Sequence, residues 1–106
     1  MTDIIRNIDL ARSFVEGLTY EAILADIRTV YATTRCLEII SEASRRLPND
    51  MKARYPSIPW ADIAGAGNIY RHNYEDVLEK VLWHTIHHAL APLRAVVENE
   101  LIVRDL

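Results

Sequence analysis

Ile4, Ile8, Ala11 and Val15 recur at steps of four, three and four, the spacing that lines one face of an α-helix. The interval returns in Ile23, Ile27, Val30, Thr34 and Leu37, continuing to Ile40 and Ala43. It appears again in Leu78, Leu82, Ile86, Ala89, Leu93 and Val96. A chain patterned this way buries helical stripes against one another. No run of strict apolar–polar alternation bounded by Asn-Gly or Asp-Gly turns offers a strand. The expectation is all-α, and the 106 residues, 1–106, form a single domain. A domain of this size buries about two thirds of the surface its unfolded chain exposes, enough for a core without staples.

Punctuation sets the expected elements. A first helix runs from about Asp3 to Glu16, and Gly17 supplies the left-handed residue that follows many helix ends. Thr19 caps the next helix, with Leu18 placed to pack on Ile23. That second helix is long, from about Tyr20 to Leu47, and Pro48 stops it. Asn49 to Arg54 makes a short extra helical turn. Pro59 suits a first helical position, and a third helix covers Pro59 to about Asn73 with Trp60, Ile63 and Gly67 inward. The last runs from about Asp76 to Leu101, kinked by Pro92. Four principal helices joined by short links give an up-and-down bundle.

Composition excludes several classes. Hydrophobic residues are 50% and charged residues 25%, a globular balance rather than a disordered one. No stretch reaches the roughly 18 apolar residues of a membrane span, and Asp3, Arg6 and Asp9 exclude a signal peptide at the N-terminus. Cys36 is the only cysteine, so no internal disulfide forms and a reducing cytoplasm is expected. The formal charge of -3 argues against a broad basic face for nucleic acid, so any RNA contact is local.

Chemistry concentrates between Gly65 and Tyr74. Gly65 and Gly67 stand inside the expected third helix, where each costs about 0.5–1 kcal/mol relative to alanine. Such residues admit a closely packed neighbouring helix or leave room for a ligand. Tyr70-Arg71-His72-Asn73-Tyr74 follows, and Asn68 and His72 are four apart on one helical face. An imidazole moves protons near neutral pH and a guanidinium neutralises phosphoryl oxygens, so His72 and Arg71 suit acid–base work on a phosphodiester. The same pair also suits a solvated helix end that compensates the macrodipole. Elsewhere, His84 and His88 sit one turn apart with His87 between them, but no carboxylate or cysteine joins them at ligand spacing. A polar dimer face is expected there rather than a metal site. Cys36, Trp60 and Trp83 read as packing residues. Glu98 and Glu100 read as a solvated face.

Tyr31-Ala-Thr-Thr-Arg35-Cys-Leu-Glu38-Ile-Ile-Ser-Glu42-Ala, Ile58-Pro59-Trp60-Ala-Asp62-Ile63-Ala-Gly65 and His72-Asn73-Tyr74 together resemble the HepT-like toxins of the HEPN superfamily. The tail from Trp83 through Pro92-Leu93 and Val96 fits the same pattern. The resemblance implies a four-helix bundle that forms a homodimer with a cleft between subunits. It implies a metal-independent endoribonuclease that needs no cofactor and leaves a cyclic phosphate end. It implies a nucleotidyltransferase antitoxin as partner, which silences the toxin by AMP transfer to a tyrosine two places after the histidine. By position the polar residue is Asn68, the histidine His72 and the acceptor Tyr74. The family's arginine position is Gly67 here, leaving Arg71 as the nearest guanidinium and Arg35 as a further phosphate contact or a partner of Glu38 or Glu42. The alternative is a catalytically inactive homodimeric module that binds a nucleotide or a partner protein.

Overall fold

A computed structural model describes residues 1–65 and 83–105. Every regular element among them is helical: α1 (Thr2–Val15), α2 (Tyr20–Leu24), α3 (Ile27–Arg45), α4 (Asn49–Ala53) and α5 (Leu90–Asp105), with further helical turns at 60–65 and 83–88. The expected all-helical bundle is what forms. No helix among the described residues is long and apolar enough to cross a membrane.

α1 matches its stripe: Ile4, Ile8, Ala11 and Val15 are buried, and Gly17 takes φ +74 after the helix ends. Thr19 then caps α2, its hydroxyl accepting from the Ala22 amide at 3.1 Å. The long second helix expected over Tyr20–Leu47 is broken. Asp26 adopts extended backbone (φ -120, ψ 97) and accepts from the Arg28 amide and the Thr29 hydroxyl, so a new helix starts at Ile27. Ile27, expected in the stripe, is 61% exposed, while Val30, Cys36, Leu37 and Ile40 are buried.

The expected final helix is likewise interrupted, with a turn at Ala89. Pro92 has no amide to give the His88 carbonyl, and its ring crowds that carbonyl. The buried residues Ile86, Leu90, Leu93 and Val97 keep helical steps of four, three and four across the turn, so Val97 is fully buried and Val96 only partly so. Glu100, expected to be solvated, is 3% exposed and accepts from Arg54 through Nε at 3.1 Å and through Nη2. That carboxylate ties α5 to the end of α4. The neighbouring Asn99 donates to the Tyr55 hydroxyl at 2.9 Å. Glu98 keeps the solvated role, 53% exposed and paired with Arg94.

α1 packs along α3 and against α5, with one core of Ile4, Ile8, Ile40, Leu93 and Val97 among its members. Arg94 on α5 grips Asp9 on α1 with the two donors of one guanidinium edge, Nε–Oδ1 2.8 Å and Nη2–Oδ2 3.2 Å. The Arg94 hydrogen bond holds the Asp9 carboxyl below its usual pKa, against an opposing effect of burial. Asp26 is lowered too, first by the Thr29 hydroxyl. A carboxylate depressed in the folded state stabilises above its unfolded pKa, about 3.9, and loses that stabilisation as pH falls through the folded value. Urea midpoints should therefore hold steady from pH 7 to about 5 and fall below about 4. Asp9→Asn combined with Asp26→Asn should flatten that fall. An unchanged acid limb in the double variant would contradict these assignments.

Candidate functional site

The turn at 60–65 is anchored from both sides. Trp60 is partly buried, and its indole Nε1 donates to the Lys52 and Tyr55 carbonyls, each at 3.1 Å. Ile63 is buried, and its amide donates to the Pro59 carbonyl at 3.0 Å. Helical residues begin at 60 rather than at Pro59, which leaves the proline in the capping position. On the other side α3 reaches over. The Ala64 carbonyl accepts from Ser41 Oγ at 2.9 Å, Arg45 Nε at 3.2 Å and Arg45 Nη2 at 2.7 Å. Neither Ser41 nor Arg45 stands out in the sequence as functional. Their four-residue spacing on α3 was the available signal, because it puts them on one face.

Among the described residues, nothing lies within 4 Å of where a side chain on Gly65 would begin. Gly67, Asn68, Arg71, His72 and Tyr74 lie outside the described residues, as does the inward placement expected of Gly67. Arg35 is described: it is 70% exposed, and Nη1 lies 3.6 Å from Glu38 Oε2, the pairing its sequence position suggested. Glu42 pairs instead with Arg45 and Arg46.

A cavity of about 140 Å³ opens beside the anchored turn, between α3, residues 59–63 and residues 84–93. Leu37, Ile40, Ile63 and Leu90 form apolar wall, while Asp62 and His84 add polar groups. His84 and His88 pack ring to ring at 4.7 Å, and His87 lies 4.1 Å from the Trp83 ring, which meets Tyr20 edge-on at 5.5 Å. Among the described residues no group of three or more His, Cys, Asp or Glu could hold a metal ion. Cys36 is a buried core thiol, its pKa raised by burial, which is the inert kind of cysteine.

An all-helical bundle thus presents one anchored turn, and directly after it in sequence come an amide, an imidazole and two tyrosines. That is the class of a small helical domain with a polar motif carried just beyond a helix start. The chain belongs to the HepT-like family, described as ribonuclease HepT-like, whose model matches residues 4–100. It is 37% identical over 99 residues to "Probable ribonuclease HepT" of Thermococcus cleftensis, covering 93% of this chain and 90% of that one. It is 31% identical over 104 residues to a candidate RNase of Methanocaldococcus jannaschii, MJ1216, covering 98% and 84% of the two chains. A second candidate RNase of that organism, MJ0125, is 32% identical over 104 residues, covering 98% and 88%. No solved structure matches the chain significantly.

Proposed function

We propose that this chain is the toxin of a HEPN/nucleotidyltransferase toxin–antitoxin pair and cleaves RNA without a metal ion. The observation that carries the proposal is family membership together with Asn68, His72 and Tyr74 standing at the motif positions of this sequence. His72 takes the proton from a ribose 2′-hydroxyl, and the freed oxygen attacks the adjacent phosphorus. The bond from phosphorus to the 5′-oxygen breaks, that oxygen takes a proton from solvent, and no water is consumed. The products are a 2′,3′-cyclic phosphate and a 5′-hydroxyl. Asn68 orients the phosphate, and a guanidinium, Arg71 in the first instance, neutralises the charge that grows on its oxygens. The protein acts as a homodimer in the cytoplasm. Its antitoxin silences it by adding AMP to the Tyr74 oxygen, with pyrophosphate leaving from a nucleoside triphosphate.

RNA incubated with the purified protein in excess chelator should yield fragments ending in cyclic phosphate and 5′-hydroxyl. Fragments bearing 5′-phosphates, or intact RNA, would overturn the cleavage reading. Mass spectrometry of the protein co-expressed with a nucleotidyltransferase tests the silencing: one adenylate should appear on Tyr74 and none on Tyr74→Phe.

Gly67 at the family's arginine position favours a second reading, a non-catalytic module that docks the nucleotidyltransferase or a nucleotide. On that reading the complex forms equally well with His72→Ala, and RNA stays whole.

A further inference from the structure

We propose that Arg45 is a phosphate-contacting residue of the RNA site, preset by the Ala64 carbonyl. The nuclease reading supplies only the identity of the ligand. Nε and Nη2 of Arg45 both donate to the Ala64 oxygen, at 3.2 and 2.7 Å, and Ser41 Oγ donates to the same atom at 2.9 Å. Three donors on one carbonyl fix a side chain that would otherwise lose much rotamer freedom on binding. A guanidinium has five N–H groups. Two face Ala64 and Nη1 spends one on Glu42 Oε2 at 3.5 Å, which leaves one on each terminal nitrogen. That remaining edge matches two oxygens of a phosphodiester. The side chain is 36% exposed, and its Glu42 partner is 48% exposed, so water and salt weaken that pair and a phosphate can displace it.

Ala64 precedes Gly67 by three residues and Asn68 by four. The carbonyl that presets the guanidinium therefore belongs to the stretch that leads, in sequence, directly into the motif. Gly67 brings no side chain of its own to that interval. Arg35, ten residues earlier on α3, is about 15 Å away along the helix axis and does not serve the same place.

The test uses the full chain and a fluorescently labelled single-stranded RNA with 2′-O-methyl riboses, which cannot be cut, followed by anisotropy over a range of KCl. Arg45→Gln should weaken binding about tenfold and reduce the salt slope by about 0.7. Arg45→Lys should keep most of the slope and lose about threefold in affinity, because the charge survives and the fork does not. Arg46→Gln removes an equal charge at the next residue and should change affinity less than twofold. Failure of the wild type to bind, or equal losses in Arg45→Gln and Arg46→Gln, overturns the proposal. Should Arg45→Gln fail to fold, wild-type affinity in Arg45→Lys overturns it instead. Cleavage of unmodified RNA in parallel separates the two ideas. Arg45-dependent binding without cleavage keeps the contact and sinks the nuclease, and cleavage with unchanged Arg45→Gln binding does the reverse.

Discussion

Ile8→Ala is expected to lower the free energy of unfolding by about 3–4 kcal/mol, the range for emptying an isoleucine site in a core that cannot collapse. Ile8 is fully buried in the middle of the α1 stripe, where α1 lies along α3. Its neighbours are held on both sides. The Arg94 fork on Asp9 fixes the adjacent turn of α1 to α5, so relaxation into the vacated space is limited. For a domain near 100 residues, each kcal/mol shifts the melting temperature by about 4–8 °C, so a drop on the order of 15–25 °C should be seen by circular dichroism. Ile102→Ala removes the same atoms from a site 57% exposed and should stay within about 0.5 kcal/mol of wild type. Equal losses at the two positions would mean that α1 is not packed as described.

The second large effect is on activity. His72→Ala should slow RNA cleavage by about 10²–10⁴, the contribution of a positioned general base. Single-turnover rates on a labelled RNA in chelator give the number directly, because they isolate the bond-breaking step from product release. The variant should melt like wild type and keep its affinity for uncleavable RNA, since the imidazole acts on a proton and not on the bulk of binding. Cleavage at the wild-type rate would remove His72 from the chemistry and leave the docking module as the surviving reading.

Much of the fold was legible because local signals agreed. The α1 stripe, the Gly17 turn and the Thr19 cap each have a cause within a few residues of sequence. One departure is an interruption that the stripe concealed. Asp26 sits inside an unbroken apolar stripe with no glycine or proline beside it, yet its carboxylate closes on Arg28 and Thr29 and restarts the helix. The Asp26–Thr29 spacing was a readable cap, outvoted by the periodicity around it. On the last helix the stripe continues from Leu93 by a step of four to Val97, where a step of three to Val96 was expected. Glu100 was out of reach for another reason: its burial depends on Arg54, 46 residues away, and no local pattern encodes that partner. The site divides similarly. Asn68, His72 and Tyr74 were named from the resemblance to the HepT-like family, whereas the grip of Ser41 and Arg45 on Ala64 joins residues 19 to 23 apart and emerges only in three dimensions.

The Asp9–Arg94 ion pair joins groups 85 residues apart, and the helices it joins also share the Ile4–Ile8–Leu93–Val97 core. During synthesis α1 therefore emerges long before the surface that completes it. Its oily stripe can meet α3 early, but the side facing α5 stays wet until the late helix clears the ribosome. At about 5–20 residues per second that wait lasts seconds, many times longer than a helix needs to form. The half-built bundle is thus the species most open to chaperones and proteases, and the closing step belongs to α5.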